Sequence, residues 1–327
     1  MFVFAIIAAL LVIAATAWFF YFVYTPPLSP PELKATVTNG TMNIDGHERS
    51  YQAVIPIDLP TNPALLIMFH GTGQDARSIR KASGYGFDVL AVERGFIVVY
   101  PNAYKGAWRD ARKVGDNPAR RENIDDEAFV HELISYFRQS NSIDRSRVFA
   151  AGFSNGGQMI IRLAATMPET FAGLAAIGAT QPTVDNFAIS TSISSVPMLL
   201  VAGTRDPIVP YNGGIISLWG FSPRGSALSV PDTAGYFAKM NGITTSPTVE
   251  DLPHRAESGD SSVFVTQYRQ NGYASVELYT VINGGHAIPN PRYAAPRILG
   301  FSTHDLDTPR VVWSFFEGLP ARTPAGH

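Results

Sequence analysis

The sequence predicts an α/β fold in which a mostly parallel central sheet carries helices on both faces. Three observations support this prediction. Continuous apolar runs of strand length, such as residues 64–69, are typical of strands that are buried on both faces. Segments with helical spacing of apolar residues alternate with these runs along the chain. The chain of 327 residues is 46% hydrophobic, which supplies a large core and excludes disorder over most of its length.

The elements follow from these patterns in order. The predicted strands cover residues 51–57, 64–69, 96–100, 147–153, 171–177, 196–202 and 276–282, the first of them antiparallel. The predicted helices cover residues 127–139, 157–166, 230–241 and 309–317. Asp125 or Asp126 is expected to cap the first of these helices, and Gly242 to end the third. Ligands bind beyond the carboxyl ends of parallel strands, so the loops that follow the strands should hold the site.

Charge and cysteine content exclude several classes of function. The chain has 25 Lys and Arg residues against 27 Asp and Glu residues, and a formal net charge of −2. This balance gives no basic face for nucleic acid, which is therefore not an expected partner. The chain has no cysteine, which rules out disulfides, thiolate metal sites and a cysteine nucleophile.

The N-terminal segment differs from the rest of the chain. The first 31 residues carry no charged side chain, and residues 2–24 form an apolar run that only Thr16 interrupts. As a helix, this run would span about 34 Å, so we expect a transmembrane anchor that makes the membrane a partner. A cleaved signal peptide is the alternative, with a small-residue site at Ala15-Thr16-Ala17, although no basic residue precedes the run. We expect the globular part to lie outside the cytoplasm, either tethered or, after cleavage, secreted.

The remaining boundaries follow from composition. Residues 1–24 form the anchor or signal peptide, residues 25–33 a proline-rich linker, residues 34–320 a single globular domain, and residues 321–327 a tail.

A serine stands at the sharpest turn that the sequence predicts. The strand at 147–153 leads into Gly152-Phe153-Ser154-Asn155-Gly156, and a helix follows. This is the G-x-S-x-G pattern in its strand–turn–helix context, where the turn exposes the serine hydroxyl. The N-terminus of the following helix also favours developing negative charge. Ser154 is therefore the candidate nucleophile, and the alternative is a glycine-rich turn with a capping serine.

A serine nucleophile needs a base, and the base needs an acid. In this pattern the acid and then the histidine follow the serine along the chain. Asp206 follows the strand at 196–202, and His286 follows the strand at 276–282. Asp185 is the alternative acid. The other histidines are expected in surface, packing or capping roles; they are His47, His131, His254, His304 and His327.

The loop after the strand at 64–69 is expected to help stabilise an oxyanion. Its sequence is His70-Gly71-Thr72-Gly73. One backbone N–H of the hole should come from Asn155 and a second from this loop, with Thr72 the first candidate and Gly73 the alternative. His70 is expected to hold the loop by a hydrogen bond rather than to act in catalysis.

Taken together, the motifs resemble those of the polyhydroxybutyrate depolymerase, feruloyl esterase and acetylxylan esterase group of α/β-hydrolases. The resemblance covers residues 50–318 and rests on the motifs at 70–74, 100–102, 125–126, 152–157, 203–211 and 284–286. It implies an α/β-hydrolase fold with Ser154 as nucleophile, Asp206 as acid and His286 as base. It also implies that the substrate is a small or polymeric ester, and the proposed chemistry needs no metal or organic cofactor.

Substrate contacts are predicted only from position. Trp108, Tyr211 and Trp219 fall on loops expected near the strand ends and are candidates to line a pocket, with ordinary packing as the alternative. The chain departs from the group in lacking cysteines near Ile243 and Tyr273. It also departs at residues 287–289 and in a longer segment at 213–224. An acyltransferase and a catalytically silent binding protein remain alternatives to an ester hydrolase.

Overall fold

A ten-stranded mixed sheet forms the centre of the molecule. The computed structural model describes residues 2–190 and 194–322, with only the backbone of residues 2, 3 and 5. The strand order is β1-β2-β4-β3-β5-β6-β7-β12-β11-β10, and β8 pairs with β9 in a separate hairpin. The strands are β1 (Ala35–Ile44), β2 (His47–Pro56), β3 (Leu65–Phe69), β4 (Ile97–Pro101), β5 (Val148–Phe153), β6 (Gly173–Ile177), β7 (Met198–Gly203), β8 (Gly214–Ile215), β9 (Ser226–Ala227), β10 (Thr248–Asp251), β11 (Ser262–Tyr268) and β12 (Val276–Ile282). The helices are α1 (Phe2–Phe22), α2 (Ala76–Ala82), α3 (Gly86–Arg94), α4 (Pro118–Arg121), α5 (Asp126–Asn141), α6 (Asn155–Thr166), α7 (Val230–Met240) and α8 (Thr308–Glu317).

The parallel part of the sheet determines where the site can lie. Strands β4, β3, β5, β6, β7 and β12 are parallel to one another, whereas β1 and β2 at one edge and β10 and β11 at the other pair antiparallel. The carboxyl ends of the six parallel strands therefore meet along one rim. The loops after β3, β5, β6, β7 and β12 all leave from this rim.

Two apolar layers enclose the sheet. Successive residues of β3 alternate between them: Leu65 and Ile67 face the layer that includes α5, α6 and α7, and Leu66 and Met68 face the layer that includes α2, α3 and α8. In the second layer the indole of Trp313 stacks on the ring of Phe96 at 3.6 Å between centroids. Burial on both faces explains why these strands are continuously apolar.

The predicted mostly parallel sheet is confirmed, and each predicted strand and helix is present with ends shifted by a few residues. Asp125 caps α5 by accepting the backbone N–H of Ala128, and Gly242 follows α7 with a φ of +77°. The elements that no sequence pattern predicted are β1, β8, β9, β10, β11, α2, α3 and α4. Strands β1 and β10 lie at the exposed edges, and α2 and α3 are short, so their apolar patterns are weak.

The N-terminal prediction needs correction. Residues 2–24 were expected to form a transmembrane helix, and α1 does form, but it ends at Phe22. In the part of the chain that the structure describes, no helix combines the length and apolar character needed to cross a membrane, so a transmembrane helix is not supported. The end of α1 instead contacts the globular domain, where the Arg297 guanidinium lies 4.6 Å from the centre of the Tyr21 ring. The predicted tail at 321–327 lies almost entirely outside the described residues.

Candidate active site

Ser154 occupies a strained turn between β5 and α6. Its backbone has φ of +55° and ψ of −115°, and its N–H donates to the carbonyl of Ile177 on the neighbouring strand at 2.8 Å. A Cβ at Gly152 would lie 2.3 Å from the carbonyl oxygen of Gly156, and a Cβ at Gly156 would lie 2.4 Å from that of Phe69. Only glycine fits at either position, which explains the glycines of the motif. The strained turn of Ser154 is the geometry of a nucleophile elbow.

His286 and Asp206 are in direct contact. The imidazole Nδ1 lies 2.6 Å from the Asp206 Oδ2, and the two side chains are only 4% and 2% exposed. The other carboxylate oxygen, Oδ1, accepts the backbone N–H groups of Ile208 and Val209 at 2.8 Å each. These two bonds fix the carboxylate so that Oδ2 faces the imidazole, and the contact orients the ring.

Phe153, which directly precedes Ser154, and Gly178 both lie beside the ring of His286. The ring of Phe153 lies 4.8 Å from that of His286, and a Cβ at Gly178 would lie 3.2 Å from both rings. Within the described residues the Ser154 hydroxyl makes no hydrogen bond. Serine–histidine bonds are often long in unliganded sites and shorten only when substrate binds. The structure thus brings His286 beside the residue that precedes Ser154.

Two backbone N–H groups near Ser154 have no acceptor among the described residues. Asn155 is the first residue of α6, so its N–H has no acceptor within the helix. In the loop after β3, the Gly73 N–H donates to the Gly106 carbonyl at 2.8 Å, whereas the Thr72 N–H has no acceptor among the described residues. Thr72 is also exposed, and a Cβ at the neighbouring Gly71 would lie 3.3 Å from the Ser154 Cβ. This arrangement favours Thr72 over Gly73.

The side chain of Asn155 ties the elbow to the segment at 108–110. Its Oδ1 accepts the backbone N–H of Trp108 at 2.8 Å, and its Nδ2 donates to the Asp110 Oδ2 at 2.6 Å. Burial would raise the pKa of Asp110, but Arg112 and Arg120 hold that pKa below its ordinary value. Asn155 therefore binds a buried carboxylate that stays ionised.

His70 holds the loop after β3 by hydrogen bonds, as predicted. Its Nε2 accepts the N–H of Ala103 at 3.0 Å, so the proton is on Nδ1, which donates to the Gly71 carbonyl at 2.7 Å. Burial lowers the pKa of His70 to about 4. The ring is thus neutral and structural near pH 7.

The three predicted pocket residues have different environments. Trp108 is fully buried, and its indole N–H donates to the His70 carbonyl at 2.9 Å, so it packs beneath the loop and does not line an open pocket. The Tyr211 hydroxyl lies 3.1 Å from the Thr280 hydroxyl on β12, which directs the ring against the sheet. Trp219 is 46% exposed and donates to the Ile298 carbonyl at 3.2 Å. Of the three, Trp219 is the most accessible to a substrate.

The alternative acid and the other histidines lie elsewhere. Asp185 is exposed, and neither a hydrogen bond nor an ion pair joins it to His286, whose carboxylate partner is Asp206. His254 pairs with Asp305, and His304 lies 3.1 Å from the Asn290 carbonyl through its Nδ1. The rings of His47 and Tyr104 are in edge contact, His131 is exposed, and His327 lies outside the described residues.

A cavity of about 1130 Å³ opens at the opposite end of the strands. Pro197 and Ser275, which line it, directly precede β7 and β12, and Phe315 of α8 lies on its wall. Because this is the amino end of the parallel strands, the cavity is separate from the rim that holds Ser154. Among the described residues, no group of three or more His, Asp or Glu side chains is arranged to hold a metal ion.

Sequence reasoning missed Gly178, Asp110 and Arg224 at this site. Gly178 directly follows a predicted strand, so a glycine at a strand end was an available signal. Asp110 and Arg224 lie on loops, and nothing in the linear sequence links them to Ser154.

The model of the phospholipase/carboxylesterase family matches residues 50–218, just over half of the chain. The chain belongs to this family of α/β-hydrolases. Membership confirms the predicted fold, and the match contains both the elbow and Asp206.

Individual proteins extend the comparison. NocK, a candidate esterase from Nocardia uniformis subsp. tsuyamanensis, is 26% identical over 305 residues, which are 90% of this chain and 87% of NocK. Poly(3-hydroxyalkanoate) depolymerase C from Paucimonas lemoignei is 28% identical over 250 residues, which are 72% of this chain and 57% of the depolymerase. This chain thus spans less than two thirds of that enzyme. The structure of an acetyl xylan esterase from Aspergillus awamori shares the fold, with a TM-score of 0.52 at 16% identity over 77% of this chain and 95% of that one.

Proposed function

We propose that this family member is a serine carboxylic-ester hydrolase that acts through an acyl-enzyme. Ser154 is the nucleophile, His286 the general base and Asp206 the residue that orients the base. The contact of 2.6 Å between His286 and Asp206 at the rim beside the strained elbow carries the proposal. The family match and the relatives named as esterases support it.

The reaction has two steps, acylation of Ser154 and hydrolysis of the acyl-enzyme. His286 accepts the Ser154 proton as the hydroxyl attacks the ester carbonyl, while Asp206 stabilises the imidazolium and fixes its tautomer. The tetrahedral oxyanion is bound by the N–H groups of Asn155 and Thr72. His286 then protonates the leaving alcohol, and water repeats the sequence to release the acid and restore Ser154.

For the substrate, we propose a polyhydroxyalkanoate-type ester or a feruloyl or acetyl ester. The names of the depolymerase and of the acetyl xylan esterase support these classes. The exposed Trp219 offers an aromatic surface at the rim for such a group. A panel of short hydroxybutyrate oligomers, methyl ferulate and acetylated xylan ranks these classes by kcat/KM.

The direct test replaces Ser154 with alanine. Turnover of p-nitrophenyl esters should fall by several orders of magnitude, while the circular dichroism spectrum and Tm stay close to those of the wild type. A fluorophosphonate probe should label the wild type and leave Ser154→Ala unlabelled. Undiminished turnover in the variant would reject the assignment, and failure of the wild type to label would favour the binding-protein alternative.

An acyltransferase would use the same acyl-enzyme with a different acceptor. A product assay with added alcohols separates the two activities, because transfer yields a new ester and hydrolysis yields the free acid.

We also propose that the domain acts outside the cytoplasm, since residues 2–24 form an uncharged apolar segment that suits export. Protection of the domain from added protease on intact cells would contradict this proposal.

A further inference from the structure

Arg224 lies on the segment at 213–228, which contains the β8–β9 hairpin. Its backbone N–H donates to the Ile216 carbonyl at 2.8 Å, and its carbonyl accepts from the Asn186 Nδ2 at 3.2 Å. Asn186 is buried, and its Oδ1 accepts the N–H of Val114 at 3.0 Å. These bonds fix the backbone of Arg224 against the segment at 113–114.

The side chain of Arg224 reaches the predicted oxyanion hole. Its Nη1 lies 3.4 Å from the hydroxyl of Thr72, whose backbone N–H has no acceptor among the described residues. Gly71, which precedes Thr72, lies close to Ser154, because a Cβ at Gly71 would lie 3.3 Å from the Ser154 Cβ. The guanidinium therefore contacts the residue whose backbone N–H is the candidate donor to a bound ester carbonyl.

The Arg224 guanidinium forms no ion pair with a carboxylate of the described residues. Arg49, Arg80 and Arg162 each pair with an Asp or Glu within 3 Å. By contrast, no carboxylate of the described residues lies within 4 Å of the Arg224 guanidinium.

Asp110, the carboxylate that attracts Arg224, is already shared. Asp110 forms ion pairs with both Arg112 and Arg120 and also accepts from the Asn155 side chain. One carboxylate thus attracts three guanidinium groups, those of Arg112, Arg120 and Arg224. Burial, together with the Arg112 cation, lowers the pKa of Arg224, and the attraction of Asp110 only partly offsets this. A further anion would relieve the imbalance, and the planar fork of arginine matches a carboxylate.

We propose that Arg224 binds a free carboxylate of the substrate, so that the preferred substrate is an anionic ester with its carboxylate a few bonds from the scissile carbonyl. Two types of ester carry such a group: the half-ester of a dicarboxylic acid, on the acyl side, and an acid-terminated hydroxyalkanoate oligomer, on the alcohol side. This inference rests on the proposed ester hydrolysis and narrows its substrate class.

Matched substrate pairs test it. Mono-p-nitrophenyl glutarate is compared with p-nitrophenyl pentanoate for the acyl side, and the hydroxybutyrate dimer with its methyl ester for the alcohol side. The readout is the ratio of kcat/KM for the anionic ester to that for the neutral ester, in the wild type, Arg224→Gln and Arg224→Lys. The matched control is Arg94→Gln, which removes an exposed arginine of α3 paired with Glu317.

We expect the wild type to favour the anionic ester in one pair, which identifies the side that carries the carboxylate. The ratio should fall at least tenfold in Arg224→Gln, mainly through KM, fall less in Arg224→Lys, and stay unchanged in Arg94→Gln. Added salt should lower the wild-type ratio.

Three results would overturn the inference. A wild type without preference for either anionic ester contradicts it. Equal loss on both members of a pair in Arg224→Gln would show that Arg224 only positions Thr72. If the wild type hydrolyses none of the four esters, the proposed function itself fails, and the inference falls with it.

Discussion

The imidazole of His286 lies 2.6 Å from the carboxylate of Asp206, although 80 positions separate the two residues along the chain. Parallel pairing of β7 with β12 produces this contact, since the strand before Asp206 and the strand before His286 end side by side. The same pairing places both residues on the rim that holds Ser154.

Asp206→Asn should lower kcat by about 10⁴-fold with little effect on KM, because an amide favours the wrong imidazole tautomer. The backbone N–H groups of Ile208 and Val209 can still bind the amide oxygen, so Tm should change little. Stopped-assay kinetics and a thermal melt check both outcomes. Near wild-type kcat in a folded variant would remove Asp206 from the proposed mechanism.

Gly178→Ala should impair turnover by crowding the imidazole. The new Cβ would lie 3.2 Å from the His286 Cε1 at a residue with φ of +60°. We expect at least a tenfold fall in kcat and a stability loss of about 1–2 kcal/mol from the left-handed backbone.

Gly272→Ala is the matched control for this crowding. Gly272 has φ of +83° with no atom within 4 Å of the added Cβ, so it should lose similar stability without loss of kcat. Equal kcat values for the two variants would contradict the expected contact with His286.

Asn155→Ala should affect both stability and turnover. It removes the amide that binds Trp108 and the buried Asp110, so the free energy of unfolding should fall by about 1–3 kcal/mol. Because Asn155 begins α6, a shift of this segment should also lower kcat. Urea titration and steady-state kinetics measure the two effects. Asn43→Ala, which removes an exposed turn bond to Gly46, is the control and should change neither.

The stability of the fold should depend on His70 at mildly acidic pH. Burial lowers the pKa of His70 to about 4 in the folded protein, below the ordinary 6.5. Between these two pKa values the unfolded chain binds more protons than the folded chain. The free energy of unfolding is therefore highest above pH 6.5 and falls as the pH decreases towards 4. The total loss of unfolding free energy is about 3 kcal/mol for this shift.

The side chain of His70→Gln can still accept the Ala103 N–H but cannot titrate. Its free energy of unfolding, measured in urea, should therefore depend less steeply on pH than that of the wild type. Equal slopes in the two proteins would exclude His70 as the source.

The sequence by itself determined the parallel strands of the core and the local turn of Ser154. Both depend on neighbours in the chain: burial on two faces requires an unbroken apolar run, and the elbow requires glycine at positions 152 and 156. The sequence also predicted Ser154, Asp206 and His286 as one group in this chain order, because each follows a strand whose end lies on the same rim.

Only the tertiary structure decided which residues meet around that rim. Trp108 has the position of a pocket residue in the sequence, but the indole is fully buried beneath the loop after β3. The preference for Thr72 over Gly73 as the proposed oxyanion donor rests on the bond from the Gly73 N–H to the Gly106 carbonyl. The surplus positive charge at Arg224 depends on Asp110 being shared with Arg112 and Arg120. Such features depend on packing between segments that are distant in the chain. The spacing of apolar residues cannot predict them, because it indicates only which face of a residue's own helix or strand is buried.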